Sequence, residues 1–268
     1  MIQDTIIIDR NYYPYSYRYA VCTIVNKWEE YGEMRDSFEN AGFVGDTEYL
    51  VADNTNGNVY DAYEAIAGFF RQSRSEFIIL VHQDVRAIDN KKQLDYCLQQ
   101  LDTNYPNWAI CGNAGSKGYH QSVTYITYTS HEERYTALPC IVNSLDENFL
   151  VIKKDAGLTI SSDLNGFHFY GTDLCILAHI IGKKALVIPF MVLHYSKGNI
   201  NAMEAVKSSF VEQYGAKLNI GYLQTTCTQL YLSNSRKKNK WLNNNFFFFL
   251  LKQRERYPYL FKKWMNRG

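Results

Sequence analysis

The chain has 268 residues, is 46% apolar and 21% charged, and carries a net charge of +1. Such a composition excludes a disordered chain, and no internal repeat is present, so one large core of the α/β size range is expected. Cys22, Cys97, Cys111, Cys140, Cys175 and Cys227 are scattered without a C-x-x-C pair, which points to reduced thiols rather than a secreted disulfide framework.

In chain order, "MIQDTIIIDR" carries an acid at position 4 and only a three-residue Ile run. It reads neither as a signal peptide nor as a membrane span, and a cytoplasmic protein is expected. "YAVCTIVN" (19–26) is a β-branched apolar run, and "KWEEYGEMRDSFENAG" follows with helical spacing and a stopping Gly. "TEYLVADNTNGN" repeats the pattern as a strand ending at Asp53 and a turn-rich loop, before the helical "VYDAYEAIAGFFRQS". "EFIILVHQDV" is a third strand, "KKQLDYCLQQL" a third helix and "NWAICGN" a fourth strand. Strands alternating with helices predict a mostly parallel mixed sheet with helices on both faces, and a strand buried on both sides explains the unbroken apolar run before His82. The second half is less regular: "SVTYITYT" and "ENFLVIKK" read as strands, "TDLCILAHIIGKK" as a helix, and "ALVIPFMVLHY" as one strand ending on His194.

Ligands of open α/β sheets sit beyond the carboxyl ends of the strands. Asn26, Asp53, Asn54 and His82 to Asp84 occupy such ends and are expected to converge on one crevice. Side chains two apart on a strand share a face, so His82 and Asp84 are expected to approach one ion together while Gln83 points away. A carboxylate with an imidazole suits Mg²⁺ or Mn²⁺ that already carries phosphate oxygens. Equally, Asp84 serves as a turn cap and His82 as a hydrogen-bonded buried histidine, and the spacing alone does not choose. "GNAGSKG" (112–118) lacks a complete phosphate-binding pattern and reads as a loop beside the site.

Taken as an ordered set, "LVADN", "FIILVHQDV", "SLDENFLVIKKD" and "GFHFYGTDLCILAHIIGKKALVIPFMVLHYSKG" resemble the nucleotide-sugar-dependent glycosyltransferases of the family 2 type, with a glycosyltransferase-A fold. The resemblance is to a bacterial branch with HQDV in place of D-x-D, over roughly residues 18 to 200. It implies a single Rossmann-like domain, hexosyl transfer, and a donor site built from Asn26, Asp53, Asn54, His82 and Asp84. By the same resemblance Asp84 and His194 hold Mn²⁺ or Mg²⁺, and Asp173 is the base. A nucleoside diphosphate leaving group needs charge stabilisation, and the acceptor hydroxyl must lose a proton as it attacks. One base opposite the leaving group implies inversion. Asp173, in the first turn of a helix that Thr172 or Gly171 caps, is expected to aim into the cleft. His168 and Tyr170 of "GFHFYG" are the candidate acceptor-binding residues; aromatic rings here serve sugar stacking or plain packing. The acceptor implied is a glycan or lipid-linked unit of surface polysaccharide synthesis, and no nucleic-acid partner is expected.

From Arg236 onward the chain holds ten Lys or Arg against one Glu. Residues 1–232 are expected to form the catalytic domain and 233–268 a basic, aromatic helical tail. The apolar run from Phe246 to Leu251 is too short to span a membrane. It packs back on the domain, the commoner use, or lies at the inner face of an anionic membrane. Two rival classes are a metal-dependent hydrolase, for which no H-x-H or HExxH spacing is present, and a non-catalytic nucleotide- or sugar-binding module.

Overall fold

The computed structural model describes residues 13–118, 121–195, 200–215 and 217–256; the N-terminal segment 1–12 and the end of the basic tail, 257–268, lie outside the described residues. Its elements run β1 (Tyr17–Val25), α1 (Trp28–Asn40), β2 (Thr47–Asp53), α2 (Ala62–Gln72), β3 (Ser75–Val81), β4 (Val85–Ala87), α3 (Lys91–Asn104), β5 (Trp108–Gly112) and β6 (Ala114–Lys117). They continue with β7 (Gln121–Tyr128), β8 (Glu132–Arg134), β9 (Cys140–Val142), β10 (Ser144–Leu145), β11 (Phe149–Lys153), α4 (Tyr170–Ile180), β12 (Lys184–Val187) and β13 (Val192–His194). The last are α5 (Ile200–Gly215), β14 (Gly221–Gln224), β15 (Gln229–Leu232), α6 (Arg236–Leu242) and α7 (Asn245–Arg256).

Seven strands form the main sheet in the order β2-β1-β3-β11-β5-β12-β9. β2, β1, β3, β5 and β12 run one way, while β11 and β9 run against them, which is the mostly parallel mixed sheet expected. Alternation along β1 divides its side chains between two cores. Ala20 and Cys22 pack with α2, α4 and α5 on one face; Tyr19, Val21 and Val25 pack with α1 and α3 on the other. Ile78, Ile79, Leu150, Val151 and Cys111 are at most 1% exposed. Residues so placed are apolar on both faces of their strands, which is why periodicity alone does not distinguish the antiparallel β11 from its parallel neighbours.

A smaller sheet, β10-β6-β7-β13-β4 with β8 on β7, takes up the chain beyond the carboxyl ends of main-sheet strands, with β4 after β3, β6 after β5 and β13 after β12. The predicted continuous strand 185–195 is two strands. Ile188 to Met191 breaks it, with Pro189 unable to donate to a ladder, so β12 stays in the main sheet and β13 crosses to the small one.

α6 docks on α5 and β15. Asn239 is 3% exposed and bonds the backbone of Ser233 in both directions, at 2.8 Å each. Asn243 does the same to Tyr231, at 2.7 and 2.8 Å. A Cβ at Gly215 would lie 1.7 Å from Asn239 Nδ2, so a glycine at the end of α5 is what admits this docking. Within the Phe run, Phe248 is 7% exposed against Tyr222, while Phe246 and Phe249 stand 65% and 56% exposed. Among the described residues no helix is long and apolar enough to cross a membrane.

Candidate functional site

A cavity of about 540 Å³ opens beyond the carboxyl ends of β1, β2 and β3. Its wall includes Asn26, Asn54, His82, Gln83, Asp84, Glu147, His168, Tyr170 and His194. Most strand-end residues singled out from the sequence therefore do converge.

The strand β3 ends at Val81, and His82, Gln83 and Asp84 form a turn closed by Val85 N–H donating to the His82 carbonyl at 3.2 Å. His82 and Asp84 thus approach each other across a turn, not along one strand face. His82 Nδ1 lies 4.0 Å from Asp84 Oδ1. The third member arrives by register. Pairing of β13 against β4 sets His194 opposite Val85, and Tyr195 N–H then donates to the Asp84 carbonyl at 3.2 Å. His194 Nε2 comes to 3.6 Å from Asp84 Oδ2, too far for a hydrogen bond, and among the described residues this buried nitrogen has no hydrogen-bond partner. The ligand atoms of His82, Asp84 and His194 all lie within 4.8 Å of one another. Burial works to raise the Asp84 carboxyl, but the nearby His194 and His82 imidazoles outweigh it and hold it below the ordinary value. Burial lowers His82, although 41% of its side chain stays accessible on the cavity wall. A buried imidazole nitrogen with no hydrogen-bond partner among the described residues, aimed at a carboxylate with a second imidazole beside it, fits a divalent cation.

Gln83 turns from the His82–Asp84 pair to the end of β1. It donates to Asn26 Oδ1 at 2.5 Å and Glu30 Oε2 at 2.8 Å, and accepts from the backbone N–H groups of Asn26 and Lys27 at 3.0 and 3.2 Å. This clasp joins the end of β1 to the end of β3. Asn54 is equally committed, holding the following loop through reciprocal bonds with Tyr60 at 2.8 and 2.9 Å. Asp53 lies outside the cavity wall. Its carboxylate turns back on the Thr55 hydroxyl and backbone N–H at 2.7 and 2.9 Å, and those bonds lower its pKa.

One expectation is corrected. Asp173 does not aim into the cleft: it is 0% exposed and accepts from Ser161 N–H at 2.9 Å, Ser161 Oγ at 2.7 Å and the Tyr214 hydroxyl. It braces α4 against α5 and the 161 loop, and burial raises its pKa. Tyr170 lines the cavity, and its hydroxyl lies 2.8 Å from His82 Nε2 and donates to the Glu147 carbonyl at 3.2 Å, so the hydroxyl is committed within the protein while the ring remains on the wall. His168 does face the cavity, as expected of an acceptor-side residue.

Glu147 is the residue that sequence reasoning missed. Because β11 runs antiparallel with Phe149 opposite Val81, the turn that enters it, Asp146 to Asn148, arrives at the carboxyl end of β3. Neither Thr172 nor Gly171 caps α4: its N-cap is Phe169, at φ 68°, with no side-chain cap. Gly171 N–H instead donates to Glu147 Oε1 at 3.2 Å. A Cβ on Gly171 would lie 2.7 Å from the Leu145 carbonyl oxygen and 3.1 Å from Glu147 Cγ, so only glycine leaves this carboxyl its place. Burial, then the neighbouring Asp146 charge, push Glu147 up to about 8. His168 Nδ1 is 4.0 Å from Glu147 Oε2, and burial lowers the imidazole. A carboxyl poised near neutrality beside a neutral imidazole, both on the cavity wall, can take and pass a proton.

No family model matches the chain. Among solved structures, A197 from STIV is 12% identical with a TM-score of 0.42, over 67% of this chain and 86% of that one. S. aureus TarS is 10% identical with a TM-score of 0.45, over 72% of this chain and 40% of that one, and its 1-349 form has a TM-score of 0.43. Likenesses this distant leave the activity to be argued from the site. Among curated proteins, "ATP synthase subunits region ORF 6" of Fuscovulum blasticum is 32% identical over 188 residues, 67% of this chain and 76% of that protein. That description names no activity, and identity at this level over this share of both chains gives the relationship itself: the chain belongs to the family of ATP synthase subunits region ORF 6 of Fuscovulum blasticum.

Proposed function

We propose that the protein is a cation-assisted, inverting glycosyltransferase that moves a sugar, of the hexosyl type, from a nucleoside diphosphate donor to a hydroxyl of a glycan or lipid-linked acceptor. The observation that carries this reading is the His82, Asp84 and His194 cluster, set at the end of β3 on a cavity that the ends of β1 and β2 also line. Few hard ligands on an open cavity suit Mn²⁺ or Mg²⁺ completed by phosphate oxygens. Asp84, His194 and His82 would hold the ion, which when bound neutralises charge on the departing diphosphate.

The chain's own residues do the rest. Asn26 and Gln83, clasped to each other, form the wall on the donor side. In this reading Glu147 rather than Asp173 accepts the proton of the acceptor hydroxyl, supported by its position on the cavity wall, and His168, 4.0 Å away, receives or returns that proton. A base with a pKa near the working pH is the efficient choice. The bacterial setting, surface polysaccharide synthesis and the inner membrane face belong to this reading through the sequence resemblance.

A second reading has an observation in its favour: two imidazoles and one carboxylate are also a ligand set for a metal-dependent hydrolase. A melting screen of UDP, GDP, dTDP and CMP, each with Mn²⁺ and with chelator, separates the two. Glycosyl transfer predicts a rise for one nucleotide that needs the metal. At about 100 times Kd, binding adds roughly 2.7 kcal/mol. No response to any nucleotide would overturn the proposal and leave the hydrolase.

A further inference from the structure

The Tyr170 hydroxyl is 2.8 Å from His82 Nε2 and 3.2 Å from the Glu147 backbone carbonyl. A carbonyl only accepts, so the single Tyr170 proton goes to Glu147, and the phenol oxygen accepts from His82 Nε2–H. A neutral imidazole has one N–H; with it on Nε2, Nδ1 keeps a free lone pair. That nitrogen lies 4.0 Å from Asp84 Oδ1, and the far carboxylate oxygen, Asp84 Oδ2, is 3.6 Å from His194 Nε2. Two ligands each about 2.1 Å from one ion stand roughly 3 Å apart when adjacent and about 4.2 Å apart when opposite, so both separations fit a shared ion.

We propose that His82 is a third ligand of the cation, through Nδ1, and that Tyr170 is the positioning residue that fixes its tautomer and ring orientation. The inference rests on the cation site proposed above. The anchor is well built for this role. Tyr170 is 5% exposed in the first turn of α4, and that turn is itself held by Gly171 N–H on Glu147 Oε1 at 3.2 Å. A tyrosine that only satisfies its own hydroxyl would leave the choice of His82 tautomer open. Metal-bound histidines are commonly oriented through the other ring nitrogen, and loss of that partner weakens metal binding about 10- to 100-fold.

The tautomer is read directly by ¹⁵N NMR of the histidine rings in the metal-free protein near pH 8, with His82→Gln to assign the signal. The expected result is a protonated Nε2 and a bare Nδ1 at His82 in the parent, and a mixture of tautomers in Tyr170→Phe. A parent with the proton on Nδ1 overturns the proposal without any variant. So does a tautomer unchanged in a folded Tyr170→Phe. Calorimetric titration with Mn²⁺ in the presence of a nucleoside diphosphate supplies the second readout: affinity should fall 10- to 100-fold in Tyr170→Phe and at least as far in His82→Gln. Equal affinity in His82→Gln removes His82 from the ligand set. A parent that takes up no Mn²⁺ under these conditions overturns the cation reading and with it the ligand role, whereas the tautomer result still judges Tyr170 separately.

Discussion

Replacing Glu147 by Gln keeps the shape of the side chain, and its acceptor for Gly171 N–H, while removing its titration. In the parent the carboxyl ionises at its ordinary value of 4.5 when unfolded but stays protonated to about 8 in the folded protein. Folded pKa above unfolded pKa means that the unfolded state binds fewer protons between these values, so parent stability falls as pH rises through that window. Each pH unit contributes roughly 1.4 kcal/mol, which makes the ceiling on the order of 5 kcal/mol. With 17% of the side chain exposed to the cavity, a few kcal/mol is the expected size. Below pH 4.5 the carboxyl is neutral in both states and parent and variant should agree. Urea unfolding at pH 5 and pH 8 measures this. Glu147→Gln should match the parent within about 1 kcal/mol at pH 5 and exceed it by a few kcal/mol at pH 8. The same substitution should lower sugar transfer by about 10² to 10⁴-fold at saturating donor, the usual worth of a general base. Parallel pH profiles in the two proteins would refute the placement of this carboxyl, and transfer within a few-fold of the parent would remove it as the base.

Four further outcomes are expected. Asp173→Asn should lower stability by about 1 to 3 kcal/mol, because one of three buried hydrogen bonds to the carboxylate becomes unmakeable, and should leave nucleotide affinity unchanged. Gly171→Ala should destabilise by roughly 1 to 3 kcal/mol in a melting curve, since its Cβ meets the Leu145 carbonyl oxygen at 2.7 Å. In calorimetry, Mn²⁺ should tighten nucleotide binding in the parent and have little effect in Asp84→Ala. Finally, Phe246→Ser with Phe249→Ser should leave melting unchanged, as both rings are exposed, whereas Phe248→Ala should destabilise by about 3 kcal/mol or more; vesicle flotation of the double variant then tests whether the exposed rings contact anionic lipid.

The parallel part of the fold was readable because buried strands and amphipathic helices write different periods. β1, α1, β2, α2, β3 and α3 fall where apolar runs and helical spacing place them, and the strand ends named the cavity wall at Asn26, Asn54, His82 and Asp84. Pairing direction is not written in a strand buried on both faces, so nothing in "ENFLVIKK" shows that β11 enters antiparallel and carries Glu147 to the end of β3. The signal that was available is Pro189: it marks the break that frees β13 to bring His194 to Asp84. Asp173 was misplaced for a related reason. Its position in the first turn of α4 is readable, but the direction of the side chain depends on Ser161 and Tyr214, both distant in sequence.

The most direct test of the whole account is nucleotide release from a panel of nucleotide sugars, followed with Mn²⁺ and with chelator, for the parent and Asp84→Ala. The account predicts that one donor yields its free nucleoside diphosphate well above background, only with the metal, and that Asp84→Ala abolishes the release. Turnover of no donor, or equal release with chelator and in Asp84→Ala, would contradict it.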